Sequence, residues 1–293
     1  MPVLSRANRV RLVKFLAFLS IIRWPIVLFV AMAQYLVAFF VCNHLAVWQT
    51  VLFDTKVHLI VLSSVCIISA GFIINSFYDL EKDLVNRPHK TLFNRVISKS
   101  FCLYVYFALN LIGLMVSAFG SLNILIFFTA FVFGLWFYSH KLQKIPLIRE
   151  LSASLLGVAA VFAIGLHYNV VNKVLIVYAA ILMTIIFNRE MVKDFRNFEG
   201  DRVAGNDTMV VFLGKRSAYW LHLALSLVTI LLTLVFTTYS SRSFDNLYAG
   251  LMITLHLIAA VLLIQHTQTN RVRWAHRTFK LLLILSTFYL VFL

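Results

Sequence analysis

The stretch NSFYDLEKDLVNRPHK, residues 75–90, closes a long apolar run with two carboxylates, Asp79 and Asp83, four residues apart and so on one helix face. Asn75 lies four residues further back on the same stripe, and Asn86, Arg87 and Pro88 are expected to end the helical pattern. A second stretch, NREMVKDFRNFEGDRVAGNDT at 188–208, also stands where an apolar run ends and carries Asp194, Asn197, Glu199 and Asp201. Asp194 and Asp201 are seven residues apart, about two turns, and share a face if the helix continues to them. Gly200 and Gly205 with Asn206 are expected to end it. Carboxylates gathered at the ends of hydrophobic helices are costly beside a membrane unless a cation meets them.

The surrounding chain is that of an all-α polytopic membrane protein. Of its 293 residues 61% are hydrophobic and 13% charged, which excludes a soluble domain of this length. Apolar runs long enough to cross a bilayer fall at 17–41, 57–78, 101–120, 122–139, 151–168, 171–188, 217–239, 247–265 and 277–293. They predict nine transmembrane helices around a central cavity, in a single domain spanning 1–293. The first run holds Arg23 and Pro25 and lacks a small-residue cleavage pattern, so it reads as a span rather than a cleaved signal. Cys42, Cys66 and Cys102 have neither metal-ligand nor disulfide spacing.

Charge follows the spans. Segments before the first run, after the second, fourth and sixth, and before the ninth hold 22 of the 26 basic residues. The opposite loops hold only Lys56, Lys173 and Arg242. The positive-inside bias then predicts an integral protein, of the plasma membrane, with the N-terminus and both acidic motifs cytoplasmic and the C-terminus outside. Nine of the 11 acidic residues fall on the same cytoplasmic side. A charged, cytosolic substrate is implied.

The net charge of +15 is in large part this topology together with attraction to anionic membrane lipids. It does not indicate nucleic acid, because the cations are spread over short loops. Several of them interleave with the acidic motifs, however: Arg87 and Lys90 follow Asp83, while Lys193 and Arg202 flank Asp194 and Asp201. Carboxylates hold Mg²⁺ and Lys or Arg neutralises phosphate, so the mixture suits a magnesium diphosphate. Arg23, inside the first run, reads as a further phosphate contact. Lys141, Lys144 and Arg149, after the fourth run, read as cations for a second anionic substrate, and His140 as a lone interfacial histidine.

At its two motifs the chain resembles the UbiA superfamily of intramembrane prenyltransferases, in particular the geranylgeranylglycerol-phosphate geranylgeranyltransferase branch, the digeranylgeranylglyceryl phosphate synthases. The first family motif is matched by Asn75, Asp79, Asp83, Asn86, Arg87 and Pro88. The second is matched by Arg189, Glu190, Lys193, Asp194, Glu199, Gly200, Asp201, Gly205 and Thr208, with Gly214 and Lys215 in the loop that follows. Ile26, Ser76 and Asn197 depart from the residues usual in close relatives.

The resemblance implies Mg²⁺-dependent transfer of a polyprenyl group from its diphosphate to a membrane-lipid precursor such as geranylgeranylglycerol phosphate. Asn75, Asp79, Asp83, Asp194 and Asp201 would be catalytic, the four aspartates as metal ligands. Arg23, Arg87, Lys90, Lys141, Lys144, Lys193, Asn197 and Arg202 would bind substrate. An aromatic acceptor of the hydroxybenzoate or naphthoate type competes within the enzyme reading. An ion-coupled transporter or lipid-binding membrane protein competes with it; acidic clusters on one membrane side favour the enzyme, since a transporter commonly couples near mid-membrane.

Overall fold

The computed structural model describes residues 6–42, 48–86, 88–94, 96–203, 205–239, 244–264 and 269–292. Every regular element among them is helical. In chain order these are α1 (Arg6–Ile21), α2 (Trp24–Val37, prolonged by a π-helical turn, Ala38–Cys42), α3 (Trp48–Leu52), α4 (Thr55–Tyr78), α5 (Leu80–Asn86), α6 (Pro88–Asn94) and α7 (Lys99–Ala118). There follow α8 (Leu122–His140), α9 (Ile148–His167), α10 (Lys173–Val203), α11 (Met209–Leu213), α12 (Lys215–Thr237), α13 (Asp245–Ile264) and α14 (Thr269–Phe288).

Among the described residues nine helices are long and apolar enough to span a bilayer: Trp24–Cys42, Thr55–Tyr78, Lys99–Ala118, Leu122–Lys144, Ile148–His167, Lys173–Val203, Lys215–Thr237, Asp245–Ile264 and Asn270–Phe292. The nine expected spans are therefore present, with three changes of extent of seven residues or more, one being the ninth, which begins at Asn270 rather than 277. The first begins at Trp24 rather than 17, because Arg23 takes a left-handed φ of 52° and separates α1 from α2. Pro25 then lies in the first turn of α2, where its missing N–H costs no hydrogen bond. The carbonyl of Arg23 accepts from the Ile26 N–H at 2.8 Å and starts the new helix. The sixth span runs on to Val203, well past 188.

Local chemistry explains several helix starts. Ser98 accepts from the Phe101 N–H at 3.3 Å before α7, and Ser121 accepts from the Ile124 N–H at 3.3 Å before α8. Asn172 accepts from the Leu175 N–H at 2.8 Å before α10. At the end of α10, Gly205 has φ +65°, with its N–H on the Arg202 carbonyl and the Asn206 N–H on that of Asp201. Those two bonds make a Schellman cap. Gly205 and Asn206 thus end the helix as expected, whereas Gly200 sits inside it.

The chain divides into two compact units. One comprises residues within 1–32 and 58–140, and its core joins Ile21, Ala70, Ile73, Ile74 and Tyr106. Gly113 of α7 lets that helix approach α4: a Cβ there would lie 2.7 Å from Ile67. The other comprises 33–57 and 141–293, where α10 packs against α9, α12 and α14. Gly165 of α9 allows contact with α10, since a Cβ there would lie 2.6 Å from the Leu175 side chain. Small residues at such crossings are how membrane helices gain packing without a hydrophobic drive between them. Buried Gln34 donates to the Ala160 carbonyl at 2.8 Å, as a polar group in an apolar bundle must. Phe107, Leu111, Phe133 and Val261 are exposed, as residues facing lipid are.

Candidate functional site

In the first unit, the stripe Asn75–Asp79–Asp83 forms as the spacing requires. The Asp79 N–H donates to the Asn75 carbonyl at 2.9 Å and the Asp83 N–H to the Asp79 carbonyl at 2.8 Å. The helical ladder therefore passes through Asp79, although the regular helix is interrupted there and resumes as α5. The Asn75 amide donates to Asp79 Oδ2 at 2.8 Å, and Asn75 Oδ1 is buried with no partner among the described residues. Pro88 opens α6 rather than closing the structure, and Thr91 on α6 donates to the Asp83 carbonyl at 3.0 Å. This bond folds α6 back toward the carboxylate turn. Arg87 and the side chain of Lys90 lie outside the described residues.

Arg23 is not embedded in a span. Its guanidinium lies 5.0 Å above the Phe72 ring, one turn before Asn75, where a cation–π contact holds the charge. Tyr78, next to Asp79, has its hydroxyl 3.2 Å from His140 Nδ1, and the His140 ring stacks on Trp136 at 5.3 Å. His140, read from the sequence as an interfacial histidine, thus has a built position in the unit that bears the first motif.

In the second unit, α10 is unbroken through the second motif, so Asp194 and Asp201 do share a face, and both are buried. Arg149, grouped by sequence with the exposed Lys141 and Lys144, is instead buried. Its guanidinium donates to Asp194 Oδ2 and to Glu150 Oε1, the latter at 2.8 Å from Nε and 2.5 Å from Nη2. Two further residues are spoken for. Lys193 pairs with Glu190 at 2.6 Å, and Asn197 Oδ1 accepts from Arg196 Nε at 3.3 Å. Arg202 is exposed; Glu199 is exposed too, pairing with Lys215 at 3.2 Å.

Sequence reading missed the pairing of Arg149 and Glu150 with Asp194, because no spacing rule links residues 45 apart. It also gave α12 and α13 no polar role. His222 on α12 donates from Nδ1 to Asn188 Oδ1 at 2.9 Å, and His256 on α13 donates from Nδ1 to the Met252 carbonyl at 2.8 Å. Both rings meet Phe279 edge-on. The signal was a histidine within each apolar run.

Chemically, the two motifs offer carboxylate and amide oxygens, a hard donor set suited to Mg²⁺ rather than to a soft metal. Among the described residues no three His, Cys, Asp or Glu side chains are gathered as a ready-made metal cage.

Comparison with known proteins agrees with this assembly of helices and motifs. The chain is 32% identical over 189 residues to the digeranylgeranylglyceryl phosphate synthase of Korarchaeum cryptofilum, covering 64% of this chain and 66% of that protein. It is 29% identical over 164 residues to the synthase of that name from Pyrococcus abyssi, covering 56% and 58%. The chain therefore spans less than two thirds of the length of these two relatives. A UbiA homolog from Archaeoglobus fulgidus, bound to GPP and Mg²⁺, superposes with a TM-score of 0.65 at 18% identity over 94% of this chain and 99% of that one, a likeness of fold. The model of the UbiA prenyltransferase family matches residues 35–284, both motifs included, and the chain belongs to that family.

Proposed function

We propose that the protein transfers a polyprenyl group from its diphosphate to a glycerol-phosphate lipid precursor such as geranylgeranylglycerol phosphate, with Mg²⁺ as cofactor. The observation that carries this reading is the Asn75–Asp79–Asp83 stripe, whose oxygens lie on one helix face and include a buried amide oxygen, Asn75 Oδ1, with no described partner. An orphaned buried acceptor beside carboxylates fits a cation. Asp79, Asp83, Asp194 and Asp201 would hold magnesium. When bound, the metal neutralises charge on the diphosphate leaving group.

The remaining chemistry belongs to the chain. Arg23 is fixed over Phe72 one turn before the first motif, in reach of a phosphate brought there. The exposed Lys141, Lys144 and Arg202 are suited to a phosphate-bearing acceptor; Arg87, Lys90, Lys193 and Asn197 complete the substrate-binding set. Apolar helices exclude water, so that the prenyl group meets the acceptor hydroxyl rather than solvent. The acceptor oxygen forms the new C–O bond, loses its proton, and diphosphate leaves. Both relatives compared above bear the name digeranylgeranylglyceryl phosphate synthase, which favours the glycerol-phosphate acceptor. The charge bias supports a cytoplasmic N-terminus and cytoplasmic motifs, with the C-terminus outside, in an integral protein of the plasma membrane.

The test is a panel of prenyl diphosphates against geranylgeranylglycerol phosphate, simpler glycerol phosphates, hydroxybenzoate and dihydroxynaphthoate, with products detected by mass. Ether-linked prenyl glycerol phosphate is expected. Prenylation of an aromatic acid alone would overturn the acceptor, and no transfer to any acceptor would overturn the reaction.

A further inference from the structure

We infer that Arg149 is a resident counter-cation which occupies Asp194 until a diphosphate draws the guanidinium away, so that Asp194 is released to metal only when substrate is present. The inference rests on the transferase reading above and assigns Arg149 as a positioning residue for it.

The geometry is specific. Asp194 and Glu150 are buried, 1% and 0% exposed, and the Arg149 guanidinium lies between them. Together the three side chains carry one net negative charge. Glu150 Oε2 is buried with no partner among the described residues, so the cluster has room for more positive charge. A divalent cation approaching Asp194 meets a guanidinium already bonded there, and like charges repel strongly away from water.

Arg149 is also poorly placed for a permanent ion pair. It lies in the first turn of α9, the positive end of the helix dipole, where a carboxylate such as Glu150 is favoured and a cation is not. Two carboxylates hold it there. If Asp194 turns to a metal, Arg149 keeps Glu150 and turns the N–H released from Asp194 to a phosphate, an anion that a guanidinium binds well. The exchange replaces one ion pair by another and leaves no charge buried alone, which is the condition for it to be cheap.

The experiment uses the full chain in nanodiscs and measures two equilibria without turnover: Mn²⁺ binding with no diphosphate, and binding of geranylgeranyl thiodiphosphate with no metal. In Arg149→Gln, Mn²⁺ affinity is expected to rise and metal-free thiodiphosphate affinity to fall, each on the order of tenfold, within the usual range of coupling between sites. Arg149→Lys, which keeps the charge, is expected to stay near wild type in both. Glu150→Gln removes a carboxylate yet keeps Arg149 on Asp194, and should weaken Mn²⁺ binding; it serves if Arg149→Gln does not fold. Unchanged Mn²⁺ affinity in Arg149→Gln, or in Glu150→Gln where that is the variant measured, would overturn the role of Arg149. If thiodiphosphate binds wild type with Mn²⁺ and is lost in Asp194→Asn while Arg149→Gln matches wild type, the transferase reading stands and this inference fails. If wild type binds no thiodiphosphate even with Mn²⁺, both fail.

Discussion

Lys193 Nζ lies 2.6 Å from Glu190 Oε2, while Arg189 Nη2 reaches the other oxygen of the same carboxylate at 3.0 Å. One acid thus holds two cations of the second motif. Glu190→Ala should therefore destabilise the protein by about 1–3 kcal/mol, since it strands two partly buried cations. Lys193→Ala, which leaves Glu190 its arginine, should cost less. Thermal melts of the purified variants in detergent check the order, and equal losses would refute it.

Asp79→Asn and Asp194→Asn should each lower prenyl transfer by about a hundredfold or more, because each removes charge from the proposed metal and diphosphate site. Cys66→Ala, a buried position on α4 nine residues before Asn75, should stay near wild type in turnover. Full magnesium-dependent turnover in both aspartate variants would overturn the site assignment.

Gly165→Ala should destabilise by about 1–3 kcal/mol, by overpacking. The added Cβ would lie 2.6 Å from Leu175 and 3.0 Å from the Val170 backbone carbonyl, which has little freedom to move. Gly250→Ala on α13 meets nothing within 4 Å and should stabilise by about 0.5–1 kcal/mol through helix propensity. Opposite shifts in melting temperature are the expected result.

Asp54, just before α4, accepts from His167 Nε2 at 2.8 Å, from the Tyr168 hydroxyl at 3.3 Å and from the Lys56 N–H at 2.9 Å. Burial pushes the Asp54 carboxyl up, but these hydrogen bonds and the charge of His167 outweigh it and hold it below its ordinary range. A depressed carboxyl stabilises the fold above its unfolded value of about 3.9 and loses that contribution as pH falls through its lower folded value. Asp54→Asn should thus melt below wild type at pH 6, and the difference should shrink as pH drops below about 4. A gap that stays constant to pH 3 would show that Asp54 contributes no proton-linked stability.

The spans were legible in the sequence because a bilayer demands long apolar runs whatever their neighbours, and the carboxylate stripes because helical spacing is local. Prolines were harder. Pro25 and Pro88 read as an interruption and a stop, yet each lies at the opening of a new helix, which depends on the backbone turn before it. Arg149 read as one more exposed loop cation beside Lys141 and Lys144. It is buried against Glu150 beside it and Asp194, 45 residues on, and the second of these partners has no signal in the local pattern around residue 149.

The two motifs deliver similar spacing by different mechanical means. The first is jointed, with the regular helix interrupted at Asp79 and two short helices, α5 and α6, after it. The second is carried on a single rod of 31 residues, about 46 Å long at the helical rise. Asp83 follows the interruption, on a short helix of its own after α4 has ended at Tyr78. Asp194 and Asp201 have no such independence: a thicker or thinner bilayer that tilts α10 carries them with it. Bilayer thickness thereby bears on one acidic motif along an unbroken rod and reaches the other only across an interruption in the regular helix.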